Sequence, residues 1–345
     1  MNLSKYLIYI PYRIVWNLRK LFSSSQEIHF LCGNIIDYIC FKNIYTLMPE
    51  IRIIARNKKI KKKLREYNVK ASLYPSFPDI IIMARHLARK YPEPKIVKIG
   101  MRHGAYHFKD FVSSKRYNAF DEYFVTSKRE VELARQKGIN NAVAVGYPKL
   151  DNAFNGKYNP KVLAKYKKKI ELNAAKPTII FTSTWDKSKM SAIEKWVNRL
   201  AELTDSYNIL VSLHPWVSHK YKAIIKLTRN VTYISDKNVL PYLLISDLMI
   251  ADMSSIIAEF CALDKPIVTF EIKKGKRLSS EIIEMLENIS YRINTFSELK
   301  KAIRNGLDNP AELSTQRKKY NKIMFDRLDG KASQRVVTRI KKYKG

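Results

Sequence analysis

Three cysteines in 345 residues, Cys32, Cys40 and Cys261, are too few and too scattered for a disulfide framework, and their spacing fits no metal-ligand pattern. Each lies in an apolar stretch, which predicts buried thiols in a reducing compartment, with the cytoplasm as the default. The ten glycines form neither the Gly-rich turn of a dinucleotide fingerprint nor a Walker loop, which counts against oxidoreductases of that type and ATPases. No unbroken apolar run is long enough to span a bilayer, and the first residues lack a small-residue cleavage site. Acidic residues are the scarcest class relative to need: 31 Asp and Glu face 64 Lys and Arg, leaving a formal net charge of +33. That excess predicts an anionic partner, whether nucleic acid, an anionic membrane face or a phosphate-rich substrate, although solvated basic faces account for part of it. Nucleic acid is disfavoured as a partner, because no zinc-finger spacing, ribonucleoprotein aromatic motif or basic-region heptad is present.

What is present is ample core-forming sequence, 46% hydrophobic, in a chain long enough for two domains. Residues 1–25 interleave Tyr6, Tyr9, Tyr12, Trp16 and aliphatics with Lys5, Arg13, Arg19 and Lys20, the pattern of an amphipathic interfacial helix that associates with an anionic membrane surface, the alternative being a helix that packs against the body of the protein. From Glu27 onward apolar strands at 28–33, 51–55, 79–83, 95–99, 121–125 and 142–145 alternate with helical stretches at 35–47, 58–65 and from Ser127. The polar stretch 155–159 is the best linker. A second series begins with a strand at 177–181, a helix running to about Thr204, and strands at 209–213, 248–250 and 267–270. Both halves predict parallel α/β domains of the Rossmann-like kind, facing one another across a cleft, with divisions at 1–25, 26–158, 159–312 and 313–345.

The most informative stretch is 246–268, a short strand followed by Asp252, Ser254 and Ser255, a short helix carrying Glu259, and a second strand after Pro266. A loop at the carboxyl edge of a parallel sheet is where nucleotides bind, and a helix starting at Ser254 and Ser255 would offer amides and hydroxyls to a diphosphate. Asp252 could equally cap that helix, and Glu259 could meet ribose hydroxyls or be an exposed charge. Thr182, Ser183 and Thr184 form a second hydroxyl-rich loop. Only six histidines occur, and two stand directly after strands: His103, between Arg102 and Gly104, and His214, held by Pro215. These are the candidate catalytic residues. His103 and His107 could form a metal pair, but no carboxylate pattern accompanies them, so no metal ligand is assigned; His29, His86 and His219 read as structural or surface residues.

Taken together, these pieces resemble the CDP-glycerol glycerophosphotransferase family, whose members build teichoic-acid-like chains. The resemblance runs from Gly100 to Val337 and rests on His103-Gly104, Phe124-Val125-Thr126-Ser127, Gly146-Tyr147-Pro148-Lys149-Leu150-Asp151, His214-Pro215, Asp252-Met253-Ser254-Ser255 with Lys265-Pro266, and Asp329-Gly330-Lys331-Ala332-Ser333 with Arg335. Two departures stand out. The family's Thr-Pro-Leu-Lys after His-Gly is replaced by Ala105-Tyr106-His107-Phe108-Lys109, one residue longer, and its Pro-Thr-Trp-Arg is Ser183-Thr184-Trp185-Asp186. The resemblance implies a GT-B fold: an acceptor domain at 26–158, a donor-nucleotide domain at 159–312 and a final helix crossing back. It implies a CDP-activated polyol donor held by Asp252, Ser254, Ser255, Glu259, Ser183 and Thr184, and a lipid-linked or glycan acceptor. His103 and His214 would be catalytic, with Arg102, Gly104 and Lys109 as acceptor or phosphate contacts. No cofactor is required, and a divalent metal is compatible but not indicated. The expected place is the cytoplasmic face of the membrane, peripherally attached. Two other readings share features with this one: a GT-B transferase using a nucleotide sugar, and a non-catalytic basic module that binds membranes.

Overall fold

The computed structural model describes residues 3–23, 25–106, 111, 113–272 and 279–344, and the chain divides into two compact units. The first holds a seven-stranded sheet built from β1 (Ile28–Cys32), β2 (Arg52–Ala55), β3 (Ser72–Leu73), β4 (Ile80–Met83), β5 (Val97–Met101), β6 (Glu122–Val125) and β7 (Ala142–Ala144). Its order is β3-β2-β1-β4-β5-β6-β7, and every neighbouring pair is parallel. The aliphatic runs of β1 and β4 are buried along their whole length, as strands covered on both faces by helices must be. The helix α1 (Leu3–Leu21) precedes this sheet, α2 (Ile35–Leu47) follows β1, and α3 (Lys58–Arg65) follows β2. Phe30 of β1 stacks on Phe41 of α2 with ring centroids 3.9 Å apart, fixing the helix over the sheet.

The second unit repeats the plan with six strands: β8 (Thr178–Ser183), β9 (Asn208–Leu213), β10 (Val231–Tyr233), β11 (Leu248–Ala251), β12 (Ile267–Phe270) and β13 (Tyr291–Ile293). The order is β10-β9-β8-β11-β12-β13, again parallel throughout. Short edge strands β3, β10 and β13 were not anticipated; at two or three residues they carry too little apolar pattern to read.

Three segments differ from expectation. The helix expected after β8 is a series of 3-10 turns, Asp186–Ser188, Ile193–Lys195 and Val197–Leu203. Side chains here compete for the amides an α-helix would use: Ser188 Oγ accepts from Met190 N, Ser191 Oγ from Ile193 N, and Asp252 from Ala192 N. Lys189, at φ +60°, further breaks the run. Residues 313–345 divide between the units rather than forming one returning helix. The helix Ser314–Phe325 stays in the second unit, where buried Arg317 binds Asp264 at 2.9 Å and the Pro310 carbonyl at 2.6 Å. The chain turns through Asp326 and Gly330, both at positive φ, and the helix Ala332–Lys341 joins the first unit. Its first amides, Ala332 N and Ser333 N, donate to the buried carboxylate of Asp151 at 2.9 and 2.7 Å, so the motif ending at Asp151 and the motif ending at Ser333 meet here.

α1 is part of the first unit, not a separate appendage. Tyr12 and Trp16, one turn apart, are buried in the core, and their polar tips reach carbonyls: Tyr12 Oη donates to Ser76 O and Trp16 Nε1 to Pro78 O, both at 2.7 Å. Ile10, Ile14, Leu18 and Phe22 remain exposed, Phe22 by 89%. Among the described residues no helix is long and apolar enough to cross a membrane. Trp16→Ala should therefore lower the unfolding free energy by about 3–5 kcal/mol, whereas Leu18→Ala should change it by less than about 0.5 kcal/mol. Urea denaturation of the two variants checks this; equal effects would mean that α1 is not docked through Trp16.

Candidate functional site

Strand order reverses between β1 and β4 in the first sheet and between β8 and β11 in the second. At such a reversal the loops leaving the two strands run in opposite directions, and a crevice opens outside the carboxyl edge. Most of the sequence candidates fall at one crevice or the other.

In the first unit, the turn after β1 carries Gly33 and Asn34 into α2. Asn34 caps the helix and Asp37, three residues on, completes a capping box. Asp37 is fully buried; its Oδ2 accepts from Gly33 N at 3.0 Å and Asn34 N at 2.9 Å, and both carboxylate oxygens accept from Arg85 Nε at 2.9–3.0 Å. Arg85 belongs to the loop after β4, so one carboxylate bridges the reversal. A Cβ at Gly33 would lie 3.2 Å from the Arg85 side chain, which suits glycine there.

The loop after β5 adds His103. Its Nδ1 lies 3.0 Å from the Ala84 carbonyl, and a carbonyl can only accept, so Nδ1 carries the proton and donates. In the neutral ring that leaves the Nε2 lone pair available, and Nε2 has no hydrogen-bond partner among the described residues. The outer edge of His103 is exposed, yet protein packed beneath the ring and the nearby Arg85 charge lower its pKa, with Asp37 opposing. The result is a neutral imidazole with a free basic nitrogen beside the crevice.

Arg102 is committed inward, 3.5 Å from fully buried Glu130, whose other oxygen accepts from Thr126 N and Oγ1. Gly104 is half-buried in the turn that follows. Lys109 and His107 lie outside the described residues. His86 packs among Tyr117, Phe120 and Tyr123 with its pKa pushed down to about 4 by burial, and buried His29 is pushed down to about 4 by the same cause. His219 is exposed at the start of the helix His219–Leu227. The three cysteines are buried free thiols, and burial pushes Cys32 up to about 12. No cluster of metal-ligating side chains occurs among the described residues.

In the second unit Asp252 plays the bridging part. It is fully buried and accepts from Ser183 Oγ at 3.0 Å, Thr184 N at 2.9 Å, Ala192 N at 3.1 Å and Met253 N at 2.6 Å. Burial pushes its pKa up while these bonds oppose the shift. Asp252 therefore fastens the β11 loop to the β8 loop, with both oxygens turned into the protein; it neither caps the following helix nor faces outward. Ser183 and Thr184 are also turned inward, Ser183 Oγ to Ser191 Oγ at 2.7 Å and Thr184 Oγ1 to the Met253 carbonyl.

Ser254 and Ser255 are different. Both are half-buried, and neither hydroxyl has a hydrogen-bond partner among the described residues. Ser255 stands directly before the helix Ile256–Cys261 without capping it through its side chain. Glu259 is buried in that helix, so it is not an exposed surface charge. His214, after β9, is exposed; its Nδ1 accepts from Trp216 N at 3.2 Å. The accepting Nδ1 puts the proton of the neutral ring on Nε2, the opposite arrangement to His103. Asp186, where the resemblance would put arginine, binds Ser218 N at 2.9 Å and Ser218 Oγ at 2.5 Å.

Sequence reading missed Asp37 and Arg85. The Asn-x-x-Asp spacing after β1 was a visible capping signal, but nothing in the sequence linked it to residue 85.

The model of the CDP-glycerol:poly(glycerophosphate) glycerophosphotransferase family matches residues 98–342. Among curated proteins, the chain is 23% identical over 239 residues to the Staphylococcus aureus teichoic acid ribitol-phosphate polymerase TarL, covering 66% of this chain and 42% of that one. It is 29% identical over 168 residues to a Bacillus spizizenii teichoic acid glycerol-phosphate primase, covering 45% and 41%. The chain thus spans less than half the length of these relatives. Among solved structures, the wall teichoic acid polymerase TagF superposes with a TM-score of 0.71 at 16% identity over 99% of this chain and 98% of that one. A complex of S. aureus MnaA with UDP gives 0.61 at 14% over 92% and 96%. These likenesses establish the fold class, a GT-B-type pair of parallel α/β units.

The His103 geometry has a direct test. Its ring should titrate below the ordinary value of 6.5, and Asp37→Asn should lower the midpoint further, because the Asp37 charge favours the imidazolium. Histidine NMR titration reads both, and a wild-type midpoint above 6.5 would contradict this account of the ring.

Proposed function

The chain belongs to the CDP-glycerol:poly(glycerophosphate) glycerophosphotransferase family, and on that premise we propose that it transfers a polyol phosphate from a CDP-activated donor to a hydroxyl of a membrane-linked glycan, releasing CMP, in the synthesis of a teichoic-acid-like surface polymer. The observation that carries the reading is His103 Nε2, a free lone pair on a neutral imidazole at the carboxyl edge of the first sheet.

Transfer requires the acceptor hydroxyl to attack the phosphorus that bears the polyol. As the new P–O bond forms, the hydroxyl proton passes to His103 Nε2, the bond to the CMP oxygen breaks, and charge accumulates on the leaving phosphate. The hydroxyls of Ser254 and Ser255, with the amides of their loop, bind the donor diphosphate, and His214 Nε2–H donates to a phosphate oxygen as its charge grows. Asp252, Ser183 and Thr184 hold that loop in place.

The enzyme sits peripherally on the cytoplasmic membrane face, where a lipid-linked acceptor is found. The exposed Ile10, Ile14 and Leu18 of α1, with Phe22 just after it, enter the interface, and the +33 net charge attracts anionic lipid.

His103→Ala should lower turnover by about two to four orders of magnitude while leaving donor binding intact. The assay is CMP or nucleoside diphosphate release from a panel of CDP-polyols and nucleotide sugars. Near-normal turnover in the folded variant would remove His103 from the mechanism, and diphosphate release from a nucleotide sugar would favour glycosyl transfer.

For the membrane, substitution is a cleaner probe than deletion, since removing 1–25 would also remove Tyr12 and Trp16 from the core. Ile14→Asp with Leu18→Asp should abolish co-sedimentation with anionic liposomes and leave the melting temperature nearly unchanged. Retained sedimentation would assign α1 a purely structural role.

A further inference from the structure

Arg85 is not used by the reaction as described, yet it occupies the reversal point of the first sheet. Its Nε is taken up by Asp37, while its two terminal amino groups have no hydrogen-bond partner among the described residues and its side chain is 31% exposed. An arginine whose only function were to neutralise Asp37 would be expected to use its paired Nη donors in a two-pronged contact. Here the single-nitrogen attachment holds the guanidinium at its base and leaves the fork unoccupied. The preceding residue, Ala84, supplies the carbonyl that orients His103, so the fork and the basic nitrogen are carried on one anchored loop. Gly33 lets that side chain lie close over the turn after β1.

We propose that Arg85 is an anion clamp for the acceptor, its Nη groups binding a phosphate that flanks the hydroxyl deprotonated by His103. This rests on the function proposed above and assigns a residue to the poly(glycerophosphate) acceptor in the family's description: Arg85 would recognise the phosphate ester next to the reacting hydroxyl at the chain end. The planar fork matches two phosphate oxygens, which a lysine cannot reproduce. A bound phosphate also offsets the Arg85 charge that disfavours the imidazolium, so acceptor binding itself makes His103 a stronger base.

The test uses the full chain without donor. Binding of glycerol 3-phosphate and of inorganic phosphate is followed by NMR of the His103 ring, with Arg85→Lys and Arg85→Gln beside the wild type and melting temperature as the folding control. Glycerol 3-phosphate should bind the wild type and raise the His103 midpoint. Arg85→Gln should weaken that binding at least tenfold, and Arg85→Lys should not restore it fully. Inorganic phosphate should bind more weakly than glycerol 3-phosphate; equal affinity would mean a general anion site and would overturn the assignment to acceptor. Unchanged glycerol 3-phosphate affinity in folded Arg85→Gln would overturn the clamp outright. In turnover assays, Arg85→Lys should raise KM for a phosphate-terminated acceptor at least tenfold with kcat changed much less, and leave KM for a neutral polyol acceptor unaltered. Because the binding arm needs no donor, failure of every CDP-polyol to react would count against the proposed function without deciding the clamp.

Discussion

A fully buried carboxylate is costly unless hydrogen bonds and charge surround it, and each half of this protein places one across the gap where its strand order reverses. Asp37 takes two amides from the β1 turn and the Arg85 side chain from the β4 loop. Asp252, at the end of β11, takes an amide and a hydroxyl from the β8 loop and a third donor from Ala192. A reversal point is where a parallel sheet leaves its loops least constrained by neighbours, and these carboxylates supply the missing constraint. In the second unit the Thr184 hydroxyl, donating to the Met253 carbonyl, adds a further tie between the same two loops.

The chemistry follows from what those anchored loops present. In the first unit the Ala84 carbonyl sets the tautomer of His103, and burial, with the Arg85 charge, lowers its pKa. In the second, all four contacts of Asp252 lie within the protein, and the half-buried Ser254 and Ser255 keep hydroxyls without a hydrogen-bond partner among the described residues. The two histidines are set in opposite tautomers by their Nδ1 partners, a carbonyl for His103 and an amide for His214. In the neutral rings, His103 therefore keeps its lone pair on Nε2, whereas His214 keeps its proton there.

The sheets were legible in the sequence because long buried strands are continuous aliphatic runs; 28–32, 80–83, 209–213 and 267–270 read within a residue or two of their ends. His103, His214 and the 252–255 loop were legible because each follows such a run directly. The 3-10 segment after β8 was not, since the side chains that divert its amides include Asp252, sixty residues away. Nor was the inward role of Asp252 itself: a carboxylate before two serines reads as a cap or ligand until its partners in the β8 loop are known. Asp37 and Arg85 were missed for the same reason, being 48 residues apart and joined only by the pairing of β1 with β4. The division of the last 33 residues depended on Arg317 and Asp151, whose partners are likewise remote in sequence.

The proposed diphosphate contact of Ser254 and Ser255 at the second reversal is read by calorimetry with CDP. Ser254→Ala with Ser255→Ala removes two hydroxyls that bind nothing among the described residues, so folding stability should hold while affinity for CDP falls by about 1–3 kcal/mol. An unchanged CDP affinity in the stable double variant would contradict the account.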